Sequence, residues 1–313
     1  MLKIFARLKP NVLSTWIAVF AQYSESRLPN QEYSRVLDKN ILKSVQEPFL
    51  PNRAIIRIDH LSLAFGGVQA LNDVSAEIKT GEITAVIGPN GAGKTCLLNC
   101  ISRFYTPQKG RIFFEDTEIT QIATHGIAKL GIARTFQNVE LFKGMTVLDN
   151  IKLGRHAFLK SNIFSDIIYF GKTRREELAL RREIEETIID LLEIESIRKK
   201  VVGTLPYGLQ KRVEMARALA MRPKALLLDE PMAGMNLEET EDMARFILNV
   251  NRMWNVSIIL VEHDMGVVMD ISDHVCVLEF GQKIADGTPG EVQKNPQVIK
   301  AYLGDDEKAY SRL

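Results

Sequence analysis

The 313-residue sequence has no apolar run approaching the ~20 residues that a membrane-spanning helix requires. Its nearest approach, Trp16, Ile17, Ala18, Val19 and Phe20, is closed on both sides by polar residues. A cleavable secretion signal is missing too: Pro10 and Asn11 separate the basic start from that patch, and no cleavage site follows. The chain is therefore expected to stay in the cytoplasm, reaching a membrane only through a partner or a surface helix. Net charge is nearly absent. Lys and Arg number 40 against 39 Asp and Glu, and the balance of +1 speaks against a broad nucleic-acid surface. The basic runs at 172–175 and 198–200 read as solvated helix ends. The three cysteines, Cys96, Cys100 and Cys276, have no metal-ligand spacing, so buried free thiols in a reducing compartment are expected. No internal repeat or low-complexity tract is present.

What is there suits one large or two modest soluble domains, with 46% hydrophobic and 25% charged residues. Residues 1–53 look like an addition: Ser14 to Tyr23 can form an amphipathic helix, and Pro29, Pro48 and Pro51 punctuate the rest. From Ala54 the texture changes. Residues 54–58 and 61–65 alternate as half-buried strands, Gly66 and Gly67 turn the chain, and strands follow at 76–79, 83–88 and 110–115. From about 145 to 205 the pattern is helical, with Ile184, Ile188, Leu191 and Leu192 as an apolar stripe opposite Arg181, Arg182, Glu183, Glu185 and Glu186. Residues 158–169 have no assignable pattern. Beyond lie a helix at 208–220, a buried strand at 225–228, a helix at 238–250, and strands at 257–261, 275–278 and 283–285. The expected architecture is α/β: a mononucleotide-binding core, mixed sheet at its start, interrupted by a helical insertion.

The strongest chemical signal is Gly88, Pro89, Asn90, Gly91, Ala92, Gly93, Lys94 and Thr95, which fills G-x-x-x-x-G-K-[ST] between a short buried strand and a helix. Backbone N–H groups of such a turn point inward and the helix dipole favours an anion. Lys94 can reach the β- and γ-phosphates, and the Thr95 hydroxyl can ligate Mg²⁺. The second signal is an apolar strand that ends in Asp229, Glu230 and Pro231. Open α/β sheets place ligands at the carboxyl ends of their strands. Asp229 can hold Mg²⁺, and Glu230 points beyond the γ-phosphate.

Other residues stay open on the residues alone. His263 is either a surface histidine or a donor to the γ-phosphate that could orient Glu230. Gln137 is a polar loop residue, or one whose amide oxygen coordinates Mg²⁺ and senses the nucleotide. Phe65 is a strand-end core residue or a stacking platform for adenine. Residues 205–212, with Pro206, Tyr207 and Gly208, start a helix whose N-terminus could face an anion.

Together these residues resemble the ATP-binding subunit of an ABC transporter. The resemblance covers about residues 54–304 and leaves 305–313 as a tail. It implies a P-loop NTPase (RecA-like) core with an antiparallel β subdomain and an inserted α-helical subdomain at about 145–205. The phosphate loop is residues 88–95, followed by Cys96. The glutamine loop centres on Gln137, the family signature is residues 205–210 with Tyr207 and Gly208, and Phe65 falls at the adenine-stacking aromatic. Asp229 matches the magnesium aspartate, which binds the metal with Thr95 and Gln137. Glu230 matches the catalytic glutamate, residues 232–236 the loop crossing the dimer interface, and His263 the switch histidine. Residues 131–138, 141–142 with 145–150, 287–292 and 295–304 are similar to the branched-chain amino acid transporter group.

That likeness implies Mg-ATP as cofactor and a second ABC ATPase subunit, identical or different. It also implies two transmembrane permease subunits, an external solute-binding protein, and a peripheral place on the cytoplasmic face of the inner membrane, with no nucleic acid. Two departures stand out. Pro206 and Leu209 replace the serine and glutamine of the signature, so one donor to the partner's γ-phosphate is lost, and residues 1–53 are extra. Pro206 leaves open a nucleotide-binding scaffold with a weak composite site. A soluble ABC-type ATPase acting as a mechanical switch is a further alternative, against which stand the single cassette and the short insertion.

Overall fold

The computed structural model describes residues 53–156 and 181–303. The proposed extension before Arg53, the tail at 305–313 and the segment 158–169 lie outside the described residues.

Strands β1 (Ala54–Phe65) and β2 (Val68–Lys79) form one long hairpin. Gly66 and Gly67 both have positive φ, 52° and 90°, as a two-residue turn between twisted strands requires. The sequence suggests two strands in place of β1, because alternation breaks near His60. The chain instead passes through the break: His60 takes φ 51°, its N–H donates to Ser75 Oγ at 2.9 Å, and the register shifts there as a bulge. β4 (Lys109–Phe114) and β5 (Thr117–Glu118) complete an antiparallel sheet in the order β2-β1-β4-β5.

The second sheet runs β10-β9-β3-β8-β7-β6. Its inner strands β3 (Ile83–Ile87), β7 (Ala225–Asp229) and β8 (Ser257–Val261) are buried at every residue, and they lie parallel with β6 (Ile132–Arg134) and β9 (His274–Glu279). β10 (Gln282–Gly287) closes the edge antiparallel to β9. Strands covered on both faces read as continuous apolar runs, as these do. Helix α1 (Lys94–Ile101) covers one face: Leu97, Leu98 and Ile101 share a core with Leu227, Ile259 and the β1/β2 hairpin. α2 (Thr124–Leu130) contributes Ile127 to that side.

The other face is covered by α4 (Tyr207–Leu219) and α5 (Leu237–Trp254), where Val213, Met243, Phe246 and Val250 meet Leu226, Leu228 and Leu260. α5 starts with a capping box, Asn236 accepting from Glu239 N–H at 3.0 Å while Glu239 accepts from Asn236 N–H at 3.1 Å. α6 (Met265–Ile271), α7 (Pro289–Gln293) and α8 (Pro296–Leu303) add Val268, Val292 and Val298 to a third cluster against β3 and β9.

Within the described part of the expected helical insertion, α3 (Val147–His156) leads in and a π-helical turn, Ile184–Ile189, leads back. Ile184, Ile188 and Leu192 are buried there as the stripe implies, with Leu191 only partly so. Cys100 and Cys276 are buried and burial pushes their thiols up to about 12, but Cys96 is half-buried rather than enclosed, because in the first turn of α1 it packs only against the margin of the core that encloses Cys100. Among the described residues no helix is long and apolar enough to cross a membrane.

Candidate active site

β3, β7 and β8 end at one edge of the sheet, and each hands over to residues that carry chemistry. After β3 the chain turns through Gly88, Gly91 and Gly93 at φ 147°, 80° and 102°. A Cβ on Gly88 would meet Leu278 O at 2.0 Å, and one on Gly93 would meet Ala70 O at 2.5 Å. Only glycine lets this loop close against β9 and β2. No side chain caps the start of α1 at Gly93, so its first N–H groups are open to an anion. Lys94 Nζ folds back over the loop, donating to Gly88 O at 2.7 Å and Pro89 O at 3.0 Å. Burial lowers the Lys94 ammonium from its ordinary value, and the charges of Glu230 and Asp229 resist that.

Asp229 ends β7 with 1% of its side chain exposed. Thr95 Oγ1 donates to its Oδ1 at 3.4 Å, and Arg134 Nη2 donates to its Oδ2 at 2.9 Å. Burial pushes the Asp229 carboxyl up, with Arg134 opposing. Glu230 follows at φ 48°, a left-handed conformation fixed by its N–H donating to Val261 O at 2.9 Å. Gln137 Nε2 donates to Glu230 Oε2 at 2.9 Å. The glutamine amide nitrogen thus sits on the glutamate. His263, beyond β8, has a side chain 65% exposed, with Nδ1 at 3.7 Å from Glu262 Oε2. Gln137, not His263, is the side chain that engages Glu230.

Phe65 is 46% exposed and meets Tyr105 edge-to-face, with centroids 5.0 Å apart. An exposed aromatic at a strand end offers a stacking face. At the start of α4, Pro206 is the cap residue without a side-chain cap, and a Cβ on Gly208 would meet Glu239 Oε1 at 2.5 Å. Tyr207, 42% exposed, donates its hydroxyl to Gln137 O of the same chain at 3.4 Å.

A nucleotide-bound magnesium fits the donor set. Among the described residues no group of three His, Cys, Asp or Glu gathers as a metal site. A hydroxyl, one carboxylate and an amide oxygen suit an ion that takes its remaining ligands from phosphate and water.

The profile of the ABC transporter family matches residues 71–233, and that of the branched-chain amino acid ATP-binding cassette transporter matches 282–308. The chain belongs to the ABC transporter family. It is 42% identical over 257 residues to the high-affinity branched-chain amino acid transport ATP-binding protein BraF of Pseudomonas aeruginosa, an alignment spanning 81% of this chain and 99% of that one. LivG of Escherichia coli K12, described in the same words, is 38% identical over 255 residues, covering 81% and 99%. Two solved structures, a nucleotide-free ATP-binding cassette from an ABC transporter and the ADP conformation of the cassette MJ1267, each superpose with TM-score 0.70 at 30% identity. They cover 81% of this chain and 100% of their own. This cassette is therefore a P-loop ATPase of the ABC type.

The cassette also contains site residues that sequence patterns do not single out. Glu262, 1% exposed, accepts from Met232 N–H at 2.9 Å and His263 N–H at 3.2 Å, pinning the exit of β8 to the loop after Glu230. Lys211, Glu214 and Arg134 are three more buried charges around the glutamine loop. The signal available in the sequence is slight: Lys211 and Glu214 lie three apart on a helix, where a solvated face is the ordinary reading.

Proposed function

We propose that this chain binds and hydrolyses Mg-ATP as the nucleotide-binding subunit of an importer for branched-chain amino acids or a related small polar solute. The observation that carries the reading is the convergence of Lys94, Thr95, Asp229, Glu230 and Gln137 at one sheet edge. The phosphates would lie on the N–H groups of residues 88–95 under Lys94, and adenine against Phe65, with Cys96 beside them. Magnesium would be held by Thr95, Asp229 and Gln137, and it supplies charge neutralisation on the phosphoryl oxygens. Glu230 takes the proton of the attacking water, Gln137 holds that carboxylate in place until the substrate arrives, and His263 completes the γ-phosphate side.

We assign residues 54–304 to one ATPase domain with an insertion at about 145–205. Its signature, Tyr207 and Gly208 included, would face the nucleotide of a second ABC ATPase subunit. Two permease subunits and an external solute-binding protein complete the assembly, which holds the cassette on the cytoplasmic face of the inner membrane.

Two outcomes test this. Lys94→Ala is expected to weaken ATP binding by about tenfold or more, since it removes a charge-assisted partner of the phosphates. Fluorescent-ATP titration of both proteins checks it, and equal affinities would refute the phosphate cradle. Purification of the tagged cassette from its native membranes is expected to bring down two integral membrane subunits and a second ATPase. Recovery without membrane proteins would favour a soluble ATPase.

A further inference from the structure

Arg134 is the last residue of β6, three residues before Gln137. Only 6% of its side chain is exposed. Its guanidinium reaches three acceptors on two other elements, β7 and the end of α1: Nη2 donates to Asp229 Oδ2 at 2.9 Å, and Nη1 donates to Asn99 Oδ1 and to Ser102 Oγ, both at 2.7 Å. Ser102 Oγ is itself held, donating to Leu98 O at 2.7 Å. The rings of Phe136 and Phe104 lie 5.0 and 5.7 Å from the guanidinium carbon. Nε is buried and has no hydrogen-bond partner among the described residues.

A buried ion pair seldom stabilises a fold more than apolar side chains of the same volume would. What this fork does provide is geometry. It takes up one oxygen of Asp229 and leaves the other, Oδ1, facing Thr95 Oγ1. It also ties that carboxylate to α1, the helix that carries the phosphate loop, so loop and carboxylate keep one spacing. Lysine could keep the charge but not the planar fork that reaches three acceptors.

We propose that Arg134 is a positioning residue for the nucleotide-bound divalent cation: it orients Asp229 so that a single oxygen is presented, and fixes that oxygen relative to the phosphate loop. This rests on the reading of Asp229 as the metal carboxylate. Residues that orient a metal ligand typically change metal affinity by about 10–100-fold when altered.

The test uses the purified cassette with ADP, titrated with Mn²⁺ while free Mn²⁺ is followed by electron paramagnetic resonance. Wild type is compared with Arg134→Lys, Asn99→Ala and Asp229→Asn. ADP affinity in EDTA is measured alongside. Arg134→Lys is expected to weaken Mn²⁺ binding about tenfold, with metal-free ADP affinity within about twofold of wild type, and raised Mg²⁺ should restore part of its ATPase activity. Asn99→Ala should shift Mn²⁺ binding in the same direction by less. If Asp229→Asn weakens Mn²⁺ binding while Arg134→Lys and Asn99→Ala do not, Arg134 is a structural tie only and the proposal fails. If Asp229→Asn leaves Mn²⁺ binding unchanged, the metal reading of Asp229 fails, and this proposal with it. Should Arg134→Lys not fold, Asn99→Ala decides alone, since it removes one anchor and leaves the charge pair intact.

Discussion

Glu230→Gln is expected to bind ATP as wild type does and to hydrolyse it on the order of 10²–10⁴-fold more slowly, the range that a positioned general base contributes. The change is nearly isosteric and removes only the proton acceptor. The backbone at this position is held independently of the side chain, since Glu230 N–H donates to Val261 O at 2.9 Å and the residue keeps its left-handed φ of 48°. A glutamine oxygen can still accept from Gln137 Nε2, which now lies 2.9 Å from Glu230 Oε2. Ground-state binding therefore survives, and the loss falls on the chemical step. With turnover blocked, ATP should hold two cassettes together if, as proposed, the signature of one faces the nucleotide of the other. Steady-state hydrolysis, equilibrium ATP binding and sedimentation with ATP separate the three quantities. Wild-type turnover in the variant would mean that another group activates the water; a parallel loss of ATP binding would mean that Glu230 holds the nucleotide rather than the water.

The inner sheet is legible in the sequence because its information is local. Residues 83–87, 225–229 and 257–261 are short apolar runs bounded by turn residues, and all are buried. The loop of glycines after β3 is equally local, since each glycine answers to its own φ or to a backbone atom in the way of a Cβ. β6 is different. Three residues long, it exists because Ile132, Ala133 and Arg134 pair with Ala225, Leu226 and Leu227, nearly a hundred positions on. No periodicity of three residues can announce that.

The same distance hides the charges around the site. Arg134, Glu262, Lys211 and Glu214 look solvated in the sequence, and their burial comes from partners on other elements. Phe65 is ambiguous for a related reason: an aromatic at a strand end is core or platform depending on what packs above it. Here the answer is Tyr105 beside it and 46% of the residue left open.

Lys211→Met is expected to destabilise the cassette by about 3–5 kcal/mol, the usual cost of removing one member of a buried charged network. Tyr207, Lys211 and Glu214 fall at i, i+4 and i+7, one face of α4, and all three grip the backbone of the glutamine loop. Lys211 is 3% exposed, and its Nζ donates to Phe136 O at 3.0 Å and to Gln137 O at 2.7 Å. Glu214, 1% exposed, accepts from the N–H groups of Phe136 and Glu140 at 3.4 and 3.3 Å. Burial pushes the lysine down and the glutamate up from their ordinary values, and each charge resists the shift of the other.

Methionine fills the stem's volume but strands the Phe136 carbonyl, leaves Gln137 O to Tyr207 alone, and deprives Glu214 of its strongest counter-charge. The folded-state pKa of Glu214 should then rise further above its unfolded value. A carboxyl raised in this way favours the fold while protonated and loses that advantage as pH rises from the ordinary carboxylate range towards the folded pKa. The Lys211→Met deficit is thus larger at pH 8 than at pH 5. Adding Glu214→Gln should recover part of it and remove most of the pH dependence. Urea unfolding at the two pH values checks both, read from midpoints at constant slope. A deficit below about 1 kcal/mol, as for an exposed pair, or one that ignores pH, would show that water reaches Lys211 and that the loop is not held by charge. A large, pH-dependent deficit would place the hold on Gln137, and through it on Glu230, in the helix that begins at the signature.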